Sequence, residues 1–138
     1  MTTKDTLEDQ RYQHPLEAQR HAVSVTVTGS RLAVALCSAF DGGSTYWAAR
    51  VKVIEPPPNG ANVSAYIVPF IGGTLAVELR GGATGLNPRP LNLTTIMDGV
   101  RIMAKEHPTH FANLVCGNAD EVTGDVLLQL AVFGCLEF

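Results

Sequence analysis

The sequence predicts an α+β domain: a small, mostly antiparallel sheet with about three helices packed on one face. Three observations carry this expectation. Val23 to Thr28 alternates valine with serine or threonine, the period-two pattern of a strand. Thr74 to Leu79 alternates again behind Gly72-Gly73, a dipeptide suited to a two-residue hairpin turn of the primed type. The last third, Leu91 to Phe138, holds the longest helical patterns and most of the large apolar side chains.

Residues 1–22 are polar and mixed in charge, which reads as a flexible N-terminal tail, with an arm docked on another subunit as the competing reading. Residues 23–138 form the single α+β domain. After the first strand, Gly29 and Ser30 make a turn, and Ser30 suits the cap of a helix over Arg31–Asp41. Leu32, Leu36, Ala39 and Phe40 face inward, and Gly42-Gly43 ends the helix. A second strand, Ala49–Ile54, sets Val51 and Val53 opposite Arg50 and Lys52, and the proline run from Glu55 to Gly60 stops it. Ser64–Phe70 reads as a third strand, with Pro69 suited to an edge or a strand end, and Thr74–Leu79 returns as the fourth.

Thr94 or Thr95 is placed to cap the next helix, Thr95–Glu106, whose face is Ile96, Val100, Met103 and His107. Gly99 inside it costs about 1 kcal/mol relative to alanine, which a close backbone approach would explain. Pro108 forces a break, and Thr109–Cys116 is a short apolar helical segment ended by Gly117. Asn118 and Glu121 have capping-box spacing ahead of a helix over Glu121–Phe133, with Asp120, Glu121 and Asp125 near its positive end. Val122, Val126, Leu130 and Phe133 form one stripe, and Leu127, Leu128, Ala131 and Val132 fill most of the rest. A helix apolar nearly all round belongs at the centre of a core. It falls short of the roughly 20 residues that span a bilayer.

The chain has 138 residues, 46% of them hydrophobic and 17% charged, enough apolar surface for one domain with a real core. A net charge of −3 without a basic stripe argues against duplex-DNA binding, while leaving room for a small phosphorylated ligand held by two or three basic residues. Cys37, Cys116 and Cys135 lack paired motif spacing, which fits a reducing compartment, and the apolar contexts of Cys37 and Cys116 read as core positions. The N-terminus shows no apolar h-region, so no secretory leader is expected.

Ser44-Thr45-Tyr46-Trp47 follows the diglycine directly and includes the sole tryptophan. Tyr46 and Trp47 suit two roles: anchors of the helix-to-strand junction with their polar tips at the surface, or a ligand platform. Arg80 to Pro90 is a Gly/Pro loop whose amides at Gly81, Gly82 and Gly85, with Arg80 and Arg89, suit an anion, or which simply connects. It lacks the lysine and spacing of a P-loop. If the protein binds a ligand or partner, the expected surface is Tyr46, Trp47, Arg80, Arg89 and the Gly81–Gly85 loop, because aromatics and arginine dominate binding hot spots. His110 with Asp120 or Glu121 is the alternative, a small metal-assisted or acid–base hydrolase. Its histidine pair is interrupted by Pro108 and has no glutamate base between, and helix capping already accounts for the carboxylates. The other expectation for these groups is a helix-end His107 and a partly buried, hydrogen-bonded His110. No cofactor is expected.

Phe40-Asp-Gly-Gly-Ser-Thr-Tyr-Trp47 resembles a segment of small uncharacterised accessory proteins of tailed phages and prophages, in which an apolar helix ends in an acidic-Gly-Gly turn and a Tyr-Trp pair. Gly99-Val-Arg-Ile-Met-Ala104, Pro108-Thr-His-Phe111, Thr123-Gly-Asp-Val-Leu-Leu-Gln129 and Phe133-Gly134 continue the likeness in order, over about Val23 to Phe133. The family's usual end after Phe-Gly is an acidic residue and a short apolar-aromatic-glycine stretch. Cys135-Leu-Glu-Phe138 departs from it, which leaves the extreme C-terminus without a role carried over from the family. The resemblance implies a phage protein acting in the host-cell cytoplasm. Small accessory phage proteins often bind and neutralise host factors or signals, and by that association the expected function is a non-enzymatic binding protein that captures a host protein or a small anionic ligand, as in counter-defence; no membrane partner is expected. The apolar helices add an expectation of a homo-oligomer, a dimer by the commonest symmetry.

Overall fold

The computed structural model describes residues 16–82 and 85–138. Most of the expected N-terminal tail therefore lies outside the described residues, and 16–22 are exposed. The fold is α+β. Helix α1 (Gly29–Ser38) runs into a π-turn (Ala39–Gly43) and leads to strand β1 (Ala48–Glu55). A 3₁₀-helix (Ala65–Ile71) precedes strand β2 (Thr74–Leu79). Helices α2 (Leu93–Glu106), α3 (Pro108–Cys116) and α4 (Glu121–Phe133) complete the chain.

Helix α4 is the centre of the core, as its apolar circumference predicts: every residue from Thr123 to Val132 is buried. Removing Leu127, Leu128, Leu130 and Val132 from water contributes about 1.5–3 kcal/mol for each side chain. Val122 is the exception to the expected stripe, at 58% exposed. Two glycines set how close the neighbouring helices come. At Gly99 of α2, a Cβ would lie 2.8 Å from the backbone nitrogen of Ala131, so α2 and α4 meet backbone to backbone. At Gly124 of α4, a Cβ would collide with the carbonyl oxygen of Ala35 in α1.

Among the described residues the sheet has two strands rather than four. β1 and β2 pair antiparallel, with Val51 opposite Val77 and Val53 opposite Leu75. Leu91 closes a single bridge on Leu75, its N–H and C=O both bonded there at 2.8 and 2.9 Å. The expected hairpin at Gly72-Gly73 is not formed. Gly72, at φ +95°, ends the 3₁₀-helix, and the partner of β2 is the distant β1. Ser64–Phe70 is apolar without alternation, a run that periodicity cannot assign, and Pro69 removes a ladder donor within it. Val23–Thr28 joins no sheet among the described residues. Its pattern sets the period of a strand and leaves its partner open.

Helix starts also shift. Thr28, not Ser30, caps α1 through Arg31 N–H. Asn92, not Thr94 or Thr95, caps α2 in a reciprocal box with Thr95, and Asp120, not Asn118, caps α4 through Thr123 N–H. Pro108 does break the helical run, and His107 ends α2 while preceding α3. The cysteines depart from the core reading: Cys37 is half-buried with its thiol on Asp41, and Cys116 is exposed, as is Cys135. Among the described residues, no helix is long and apolar enough to cross a membrane.

Candidate functional site

The junction between α1 and β1 is built around one carboxylate. The π-turn brings Ser44 N–H onto the Ala39 carbonyl at 2.9 Å, and Gly43 lets it lie against the backbone of Glu121, where any side chain would collide. This delivers Ser44, Tyr46 and Trp47 to the flank of α4. There Asp125, 8% exposed, accepts four hydrogen bonds. Ser44 Oγ and Trp47 Nε1 each donate to Oδ1 at 2.7 Å. Tyr46 OH donates to Oδ2 at 2.6 Å, and Gln129 Nε2 donates to it at 3.1 Å. No cation among the described residues takes part, and donated hydrogen bonds solvate the carboxylate. Burial of the Tyr46 hydroxyl, then its bond to Asp125, pushes the phenol up to about 12.

The chain's end closes the other side. Gln129 Oε1 accepts from both Glu137 N–H and Phe138 N–H at 2.9 Å. That clamp lays the Phe138 ring parallel on Trp47, centroids 5.2 Å apart and planes 9° apart, with Phe133 tilted against both. Trp47 is consequently 2% exposed. It is a core residue, not a ligand platform, and its indole N–H is not at the surface but on Asp125. Tyr46 divides its role: its hydroxyl turns inward while the residue is 57% exposed.

Of the other expected site residues, Arg80 joins this junction. Its N–H donates to Trp47 O at 2.7 Å and its Nε to Thr45 O at 2.8 Å, which ties this exposed residue to the backbone on either side of Tyr46. Gly81 adopts φ +71° and Gly85 φ +87°, each with open space around the Cα, while Gly82 ends the short 3₁₀ turn Arg80–Gly82. Arg89 is engaged elsewhere. Its N–H donates to Val132 O at 2.8 Å and its guanidinium to Ala131 O at 2.9 Å, with Asp98 at 3.7 Å. It satisfies the carbonyls at the end of α4, a structural task.

The hydrolase residues are likewise committed. His110 Nδ1 lies 2.9 Å from the Oγ1 of buried Thr123, matching a partly buried, bonded histidine. Asp120 Oδ1 accepts Thr123 N–H at 2.8 Å, and this bond together with the Thr123 hydroxyl holds its carboxyl below the usual range. The Glu121 carboxylate packs against Gly42. Among the described residues, no group of three or more His, Cys, Asp and Glu is placed to hold a metal ion.

Sequence reasoning missed Ser44, Gln129 and Phe138, and assigned Asp125 to the helix dipole. A signal was present: Asp125 and Gln129, four apart in a helix otherwise apolar all round, must share one face and find buried partners. No family model, curated protein or solved structure matches the chain.

Proposed function

We propose that the chain is a phage-encoded, non-enzymatic binding protein acting in the host cytoplasm. It captures an anionic group, either a small anionic ligand or an acidic site on a host protein, at the surface formed by Tyr46, Arg80 and the Gly81–Gly85 loop. One observation carries the reading. Arg80 is held at the surface by a hydrogen bond through Nε, and no described residue bonds its other guanidinium nitrogens. A cation already positioned loses less freedom on binding than a free side chain. Tyr46, next in the chain to Thr45 and 57% exposed, supplies an aromatic surface, and the open glycines give a ligand access to backbone amides.

Titration of isotopically labelled protein with inorganic phosphate and pyrophosphate tests this. Amide shifts are expected at Thr45–Trp47 and Gly81–Gly85. Arg80→Ala is expected to weaken binding by about 1.5–3 kcal/mol, the scale of a charge-assisted hydrogen bond. Arg89→Ala leaves affinity unchanged and lowers stability instead. Equal affinity in the folded Arg80→Ala variant, for these anions and for any protein partner captured from host lysate, overturns the proposal.

A further inference from the structure

The segment Val23–Thr28 presents an unused strand. Residues 22–27 make no backbone hydrogen bond to any described residue, and the chain re-enters regular structure only where the Thr28 carbonyl accepts Leu32 N–H at 3.2 Å. Val23 is 83% and Val25 52% exposed, while Val27 packs against the core. The three valines line a groove together with Met97, Val100, Arg101 and Ala104 of α2 and Phe111 of α3. A segment whose alternate residues line the groove, and whose backbone donors no described residue takes up, thus runs beside a largely apolar trough that its own side chains only partly fill. The segment carries none of the charged or proline residues that commonly blunt a free edge.

We infer that a second copy of this chain occupies the groove, its own Val23–Thr28 pairing antiparallel with the first about a two-fold axis at Val25. The residue order selects this partner. Val23-Ser-Val-Thr-Val27 reads the same in polarity from either end. Antiparallel pairing centred on Val25 sets Val25 against Val25 of the second copy, Val23 against its Val27, and Ser24 against its Thr26. Every valine then lies on the groove side and every hydroxyl on the other. A register shifted by one residue pairs valine with a hydroxyl residue throughout, and a shift by two sets Val23 against Gly29 or Val27 against His21, so the axis at Val25 is the register that pairs all three valines with valines. The two-fold makes the contact isologous and closed. Each strand gains partners for its backbone, and each groove receives the exposed valines of the other copy. This interface is separate from the Tyr46–Arg80 surface and stands independently of the anion-binding proposal.

The test is light scattering on the full chain at tens of micromolar, joined to a register-specific crosslink. The unmodified chain is expected to be a dimer, and the exposed substitutions Val25→Lys and Ser24→Pro are expected to give folded monomers. With Cys37, Cys116 and Cys135 changed to serine, Val25→Cys is expected to form an intermolecular disulfide under mild oxidation. Ser24→Cys, which faces Thr26 rather than itself, is expected to stay reduced. A monomeric full chain, a dimer that survives both substitutions, an open-ended series of larger assemblies, or equal crosslinking at 24 and 25 would each overturn the inference.

Discussion

Four donors converge on Asp125, and the chemistry of that convergence makes single-residue changes informative. Asparagine is nearly the same size, yet its NH2 would face two donors whichever way the amide turns: Ser44 and Trp47 on one side, Tyr46 and Gln129 on the other. Asp125→Asn is therefore expected to cost on the order of 3 kcal/mol in chemical denaturation. A change under about 0.5 kcal/mol would show that the carboxylate does not organise the junction. The Tyr46 phenol gives the same network a pH signature. Its folded value is raised to about 12, so the stability it contributes is fully present below the ordinary phenol value and is lost as pH rises through about 12. Ultraviolet titration is expected to show one phenol ionising late, and Tyr46→Phe should remove that step. Burial of the α4 polar pair was legible in its spacing. Its partners were not, because a contact between residues 44–47 and 125–129 is long-range and no local pattern encodes it.

At the scale of elements, two positions set opposing preferences against each other. Gly99→Ala raises helix propensity by about 1 kcal/mol. The added Cβ, however, would meet the Ala131 backbone at 2.8 Å, which cannot yield without moving α4. Overpacking of this kind costs about 1–3 kcal/mol, so net destabilisation is expected in urea unfolding, and a stabilised variant would refute the close helix crossing. Asp120→Ala removes the α4 cap, at about 1 kcal/mol near neutral pH. Because the carboxyl is held below its usual value, its contribution is present above that usual value and disappears as pH falls through the depressed one. The gap between variant and parent should close in acid; a gap independent of pH would point to lost packing instead. Helix existence was legible here because apolar periodicity is local. The capping residues were not, since Thr28 and Ser30, Asn92 and Thr94, and Asn118 and Asp120 each offer two side chains of capping type two positions apart. The tertiary path of the incoming chain selects between them.

For the whole molecule, the α+β class and a central α4 follow from pattern, while the sheet shows what pattern leaves open. Alternation in Val23–Thr28 and in Thr74–Leu79 is equally clean, yet only the second finds a partner strand among the described residues, because pairing depends on which edge the fold brings near. The C-terminal residues extend the same lesson. Nothing local marks Phe138 as a structural residue, but Gln129 fixes its backbone and Trp47 its ring, so the last residue of the chain covers the junction that follows α1. Phe138→Ala removes a parallel stack and an edge contact to Tyr46 at 6.4 Å. It is expected to cost roughly 1–2 kcal/mol, tempered by the ring's partial exposure. Trp47 is the sole tryptophan, so its emission reports this directly. In the folded variant the emission should shift to the red and quench more readily with acrylamide, while Leu136→Ala, an exposed neighbour outside the stack, leaves it unchanged. If Phe138→Ala leaves both emission and quenching at parental values, the aromatic closure of the junction is wrong, and the burial of Trp47 must come from Phe133 and α4 alone.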